Sequence, residues 1–214
     1  MIVDCWPLLG LTLRTSRLEL RLPADDELAA LAQVAADGVY KTGERPFFSR
    51  WPERSAAEVA RTVVQSQWRS RGAWTAASWS LELVVFNDHR QPMGTQEIGA
   101  EDFAGLREVA TSSWLGVEYQ GHGFGVEMRA AVLHLAFAGL GAAYALSASF
   151  EDNAPSRSIS RKLGYQPDGI QRDLDDSQVL VTHRYRMSRE QWEQTSRADV
   201  TITGLEPCLE LFGI

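Results

Sequence analysis

Gln120-Gly121-His122-Gly123-Phe124-Gly125 marks the place where the texture of this chain changes. Before it, residues 108–117 read as a strand; after it, residues 126–137 form an apolar stretch of helical length that stops near Gly139 and Gly141. A strand handing over to a helix through a tight glycine corner is a signature of α/β folds. Glycines there let backbone amides turn inward and approach an anion closely, and the helix behind adds the positive end of its dipole. The corner is therefore a cradle for a phosphate or diphosphate, although glycines in such a place can also serve the turn alone. Competing phosphate motifs fail. Position 126 is Val, so the spacing is not G-x-G-x-x-G, and no Gly-Lys-Ser/Thr follows.

Working outward, Leu18, Leu20 and Leu22 alternate with Glu19 and Arg21 as a half-buried strand, with a shorter one before it over 11–14. Asp25 and Asp26 offer capping oxygens to a helix with Leu28, Leu31, Ala32 and Ala35 as its apolar stripe, which Gly38 can end in a left-handed conformation. Ser55 and Glu58 form a capping box for a second helix with Val59, Val63 and Trp68 near one face, closed by Gly72. Residues 79–86 and 93–100 read as the strands of a hairpin. Downstream come a strand over 143–149, a helix over 155–163 ended by Gly164, a strand over 179–187 and a capped short helix carrying Trp192. The tail beyond Ser196 is apolar enough to pack as an added strand and coil.

The chain has 214 residues, with 21 basic and 28 acidic side chains giving a formal charge of −7. That sign disfavours nucleic acid as the main partner and suits a cationic ligand such as an amine. Cys5 and Cys208 lie at opposite ends of the sequence, outside any Cys/His cluster that could hold a metal, and read as free thiols. Asp4 and the lack of a cationic stretch before the first apolar residues argue against a secretory signal, and His134 with three glycines interrupts the longest apolar run. A soluble cytoplasmic protein without a membrane span is expected.

Three motifs in order carry a resemblance. Gln120, Gly123 and Gly125 meet the pattern (Gln/Arg)-x-x-Gly-x-(Gly/Ala), which resembles the acyl-CoA diphosphate loop of the GNAT superfamily of N-acetyltransferases. Asn153-x-x-Ser156 with Lys162-Leu-Gly164-Tyr165 is similar to the signature of its RimJ/RimL-type branch, as are the segments 13–18 and 114–123. The resemblance spans roughly residues 11–195. It implies a GNAT acyltransferase domain over 1–195, with 196–214 as a C-terminal extension packed on the domain or on a dimer partner. The implied fold is α/β: a central mixed, mostly antiparallel sheet splayed at the acyl-CoA site between the strand ending at Val117 and the next, with helices on both faces.

The same resemblance implies the site. Leu115, Gly116 and Val117 would pair with the pantetheine arm, an amide near Val117 would stabilise the thioester oxyanion, and Gln120, Gly121, His122, Gly123, Phe124, Gly125 and Val126 would hold the diphosphate. Asn153 would touch the pantetheine amides, or simply cap a helix. Many members use a tyrosine seven residues after that asparagine; here the position is Ser160, and Ser156 is the expected partner of the departing thiolate, with Ser160 in reserve. A base must deprotonate the amine, since an α-amino group has a pKa of roughly 7.7–8 and a lysine about 10.4. Glu97, Glu101, Asp102 and Glu118 are candidates, with Glu101 and Asp102 preferred. The implied donor is acetyl-CoA or another acyl-CoA such as succinyl-CoA, without a metal. The acceptor is a small-molecule amine or a protein N-terminus, and self-association as a homodimer is expected. Acceptor choice should reside in residues 39–75 and in loops, and Trp51, Trp68, Trp74 and Trp79, in the region that forms the acceptor wall in this fold, either line an aromatic pocket or pack the core. The competing reading is an acyl-CoA-binding sensor or interaction module that has lost its base.

Overall fold

The computed structural model describes residues 1–40, 50–175, 178–195 and 199–214. Lys41 and residues 41–49 of the expected acceptor wall, and residues 196–198 of the C-terminal extension, lie outside the described residues. The strands are β1 (Thr12–Arg14), β2 (Glu19–Arg21), β3 (Ser78–Phe86), β4 (Pro92–Glu101), β5 (Glu108–Leu115), β6 (Tyr144–Phe150), β7 (Gln166–Asp175), β8 (Gln178–Ser188) and β9 (Thr201–Thr203). They form one sheet in the order β7-β8-β6-β5-β4-β3-β2-β1-β9. The helices are α1 (Ile2–Cys5), α2 (Asp25–Asp37), α3 (Ala56–Gly72), α4 (Phe103–Leu106), α5 (Phe124–His134), α6 (Ala154–Lys162) and α7 (Arg189–Gln194). None of the described helices is long and apolar enough to cross a membrane.

Strand alternation sends β3 side chains to two cores. Val84 and Phe86 pack with Leu28, Leu31, Ala32 and Ala35 of α2 and Val59 and Val63 of α3. Leu81, Leu83 and Val85 join Met128, Ala131 and Val132 of α5 and Trp192 of α7 on the other face. Each fully buried Phe or Leu contributes about 1.5–3 kcal/mol, so both helix layers are tied firmly to the sheet.

Two local expectations are corrected. Neither Asp25 nor Asp26 caps α2: Ala24 is the N-cap, and Glu27 reaches back to its amide at 2.8 Å while Arg21 grips the same carboxylate. Trp68, expected on the apolar face of α3, is 58 % exposed. The Ser55 box is present, with the Ser55 amide and hydroxyl both donating to Glu58. Gly38 does end α2 at positive φ (128°, ψ 140°), though outside the left-handed helical region.

Strand β7 gives no alternating signal because it is an edge strand, where Pro167 and Gly169 are tolerated. Its ladder with β8 slips between Pro167 and Ile170. At the opposite edge β9 pairs with β1, placing Ile202 opposite Leu13. Beyond it Cys208 and Phe212 are fully buried in the same core as Trp74 and Trp79, which stack at 5.6 Å. Burial pushes the Cys208 thiol up to about 11. These apolar groups of the tail thus pack into the chain's own core.

Among the described residues, one strand pairing is parallel. β5 meets β6 at Glu108↔Tyr144, Val109↔Ala145 and Ala110↔Leu146, after which β5 follows β4 as far as Gly94↔Leu115 and β6 follows β8 to Phe150↔Thr182. The sheet therefore splays at the carboxyl ends of two parallel strands, the place where open α/β sheets take their ligands. Gly94 fixes the bend: a Cβ there would lie 2.1 Å from the Trp114 carbonyl oxygen. Only a glycine lets β4 draw the end of β5 so close, and so away from β6.

Candidate active site

The splay opens into a cleft of about 1100 Å³, walled by the glycine corner, β5, β6, the first turns of α5 and α6, and α3. Gly121 and Gly123 both have φ of +84°, and Gly123 is the N-cap of α5. Gly125 is glycine for another reason: a Cβ there would meet Ile159 Cδ1 of α6 at 2.8 Å. The amides of Gly121, His122, Gly123, Phe124 and Gly125 have no acceptor among the described residues, while those of Val126 and Glu127 donate to the Gly123 carbonyl at 3.1 and 3.3 Å. Five consecutive donors at a helix N-terminus are left for an anion; Val126, grouped with them in the sequence, is occupied within the first turn.

The corner is braced from outside. Glu127 accepts from the Thr15 hydroxyl at 2.5 Å and from Arg17, whose guanidinium also lies 4.7 Å from the Phe124 ring centroid. The Gln120 side chain donates to the carbonyls of Val39 and Leu115, each at 2.9 Å, so its geometry is that of a clamp. His122 is exposed, and its carbonyl accepts from Arg17.

The amide of Val117, the expected oxyanion donor, is bonded to the Gly38 carbonyl at 3.0 Å, and that of Gly116 to Met93 at 2.9 Å. Because amides in an antiparallel ladder alternate in direction, the Gly116 bond to β4 sends those of Ser113 and Leu115 to the opposite side, into the gap. The amide of Val117 is thus occupied, and the β5 amides that face the gap are those of Leu115 and Ser113.

Asn153 caps α6, its side-chain oxygen accepting from the Ser156 amide at 3.1 Å. Both residues line the cleft. Ser160 is fully buried, and its hydroxyl reaches the Ser156 carbonyl at 3.3 Å.

Glu101 and Asp102 are not brought to this cleft. They lie at the far end of β4, about seven residues and roughly 20 Å from Gly94. There Glu101 accepts from the Ser78 hydroxyl at 2.7 Å, and the Asp102 amide donates to the Ala77 carbonyl. Glu118 is exposed and outside the lining. Among the described residues, the carboxylates that do line the cleft are Asp173 on β7 and the pair Glu97 on β4 and Glu82 on β3, which are direct cross-strand partners. Both Glu97 oxygens are held, by the Ser80 and Ser112 hydroxyls at 2.6 Å each. Glu82 is buried and has one oxygen against Ser66 at 3.1 Å. Burial, and then the charge of Glu97, push the Glu82 carboxyl up to about 7. An acid that titrates near neutrality, beside a second carboxylate and in a cleft, is what general-base work requires. Glu82 escapes sequence reasoning: it is the one charged letter inside a largely apolar strand.

Of the four tryptophans expected at the acceptor wall, Trp51 lines the cleft, 6.0 Å from Trp114, whereas Trp74 and Trp79 are core residues. His134 packs against Trp192, and His183 sits 3.7 Å from Glu151.

The family model of the GNAT acetyltransferase domain matches residues 17–166. Among solved structures, the chain is similar to Mycobacterium smegmatis RimJ in complex with CoA-disulfide, at 17% identity over 88% of this chain and 92% of that one, with a TM-score of 0.66. It is similar to RimL, a ribosomal L7/L12 alpha-N-protein acetyltransferase solved with coenzyme A, at 16% identity over 81% and 95%, with a TM-score of 0.63. A GCN5-related N-acetyltransferase from Brucella melitensis matches at 17% identity over 85% and 80%, with a TM-score of 0.68.

Proposed function

The chain belongs to the GNAT family of acetyltransferases, and on that premise we propose that it transfers an acetyl group from acetyl-CoA to the α-amino group of a protein N-terminus by direct attack in a ternary complex. The observation that carries this reading is the row of five unpartnered amides at the N-terminus of α5, opening on the same cleft as the Glu82–Glu97 pair. The residues present fit acyl-CoA: a diphosphate against the amides of Gly121 to Gly125, and a pantetheine arm added as a strand along the open side of β5. When bound, that donor supplies the activated thioester.

The remaining chemistry belongs to the chain. The ammonium form of the acceptor is drawn to the two carboxylates, and Glu82 takes its proton. A base near 7 and an α-amino group near about 7.7–8 are closely matched, which favours an N-terminus over a lysine at about 10.4. The Ser113 or Leu115 amide stabilises the oxyanion, a contact of about 3–4 kcal/mol. Ser156 hydrogen-bonds the departing sulfur; Ser156→Ala is expected to lower kcat several-fold with the KM for acyl-CoA little changed, and an unaltered kcat removes it from the mechanism. The RimL likeness supports a protein acceptor by analogy of fold.

The test is release of free CoA from acetyl-CoA and succinyl-CoA with N-terminal peptides, lysine peptides and small amines, with products identified by mass spectrometry. Acetylation confined to α-amino groups supports the proposal. Transfer from succinyl-CoA alone or to small amines alone rejects its donor or acceptor, and CoA binding without transfer to anything selects the sensor reading.

A further inference from the structure

Arg129 projects from α5 into the cleft wall and is only 4 % exposed. Its Nη1 donates to the hydroxyls of Ser147 and Ser160 at 3.2 Å each, and its Nη2 to that of Ser113 at 3.3 Å; its Nε has no acceptor among the described residues. No carboxylate touches it among those residues. The titratable group facing it is the Tyr165 hydroxyl, itself buried and kept neutral because burial raises its pKa. An arginine does not shed its proton in a protein, and a buried charge without a counter-ion costs several kcal/mol. Neutral hydroxyls offset part of that cost and leave the charge itself unmatched. Such a group is stabilised when an anion arrives beside it.

The strand between supplies the rest of the geometry. Ser112 and Ser113 are consecutive on β5 and so face opposite sides of the sheet. Ser112 holds Glu97 on one side; Ser113 holds Arg129 on the other. At the edge of the splay the carboxylate pair and the guanidinium therefore bracket the strand that borders the thioester. The Arg129 network continues through Ser160 to the Ser156 carbonyl at the cleft-facing start of α6.

Resting on the acyl-CoA reading above, we propose that Arg129 is the counter-charge for the CoA thiolate released in the reaction. The amine nitrogen bonds to the thioester carbonyl carbon, and its proton passes to Glu82. The carbon–sulfur bond then breaks with its electron pair going to sulfur. The thiolate rests beside Arg129, with the Ser113 and Ser156 hydroxyls as donors, until it takes a proton and leaves as CoA. A cation a few ångströms away lowers the pKa of an acid by about 1–3 units.

The test reads the thiol of bound CoA directly. Ultraviolet absorbance of the thiolate is titrated with pH for CoA bound to the unmodified protein, to Arg129→Lys and to Arg129→Met, the last having a similar volume and an apolar side chain that suits a buried site. In the unmodified protein the bound thiol is expected to ionise about 1–3 units below free CoA, in Arg129→Lys to stay lowered, and in Arg129→Met to return to the free value or above. Desulfo-CoA, which lacks the sulfur, should bind the three proteins equally. An unlowered thiol pKa in the unmodified protein overturns the proposal even if no variant folds, as does a lowered pKa that persists in Arg129→Met. Failure of the unmodified protein to bind CoA at all removes the acyl-CoA reading as well, so the two failures are distinguishable.

Discussion

Glu82→Gln lowers kcat/KM by about 10²–10⁴-fold, the usual contribution of a positioned general base. It also removes the acidic limb of the pH profile. In the unmodified protein Glu82 is protonated below about 7 and cannot accept a proton, so kcat/KM rises about tenfold per pH unit up to that point and then levels. The same substitution acts on stability with the opposite sign. The folded-state pKa lies above the unfolded value of 4.5, so folding favours the protonated acid. The contribution is full below about 4.5 and is lost as pH rises to about 7, leaving the ionised group costing on the order of 3 kcal/mol above that. Glutamine keeps the shape and the Ser66 contact without the charge. Thermal melting at pH 8 should therefore show Glu82→Gln to be the more stable protein and initial rates the far slower one. A variant that is both less stable and fully active contradicts the assignment of the base.

Gly123→Glu is expected to weaken CoA binding by about 100-fold or more, since placing like charges together costs several kcal/mol and about 1.4 kcal/mol is a factor of ten. The fold should survive. A Cβ at Gly123 meets Arg17 Nη2 at 3.6 Å, an ordinary contact, so the structural cost is the positive φ, about 1–2 kcal/mol. Gly123→Asn separates strain from charge, because asparagine visits that region and is neutral. Isothermal titration should find CoA affinity largely kept in Gly123→Asn and lost in Gly123→Glu. Equal affinities in the two would move the diphosphate away from this corner.

The parts of this molecule that a sequence discloses are those held by local rules. The corner at 120–125 is legible because φ of +84° at Gly121 and Gly123 leaves little alternative to glycine, and Ser55 and Glu58 announce a helix start because a capping box is contained in four letters. What depends on register is hidden. Glu82 and Glu97 stand fifteen residues apart, and only the β3–β4 ladder makes them neighbours facing α3. Glu101 looks equally suitable in the sequence, yet the same ladder carries it to the far end of the sheet. The amide of Val117 was a reasonable oxyanion donor until the end of α2 supplied the Gly38 carbonyl. Strand β7 escaped because edge strands need not alternate. Arg129 did leave a trace, a charge within the apolar run of α5, but its three serine partners come from β5, β6 and α6.

The central claim is that main-chain nitrogens at the start of α5 grip the diphosphate of the donor, and proton–nitrogen correlation spectra recorded as CoA is added test it most directly. The amide signals of Gly121, His122, Gly123, Phe124 and Gly125 should move strongly downfield and become protected from exchange with solvent, while those of Val126 and Glu127, already bonded to the Gly123 carbonyl, should change little. CoA that binds with the five signals unmoved would contradict the account.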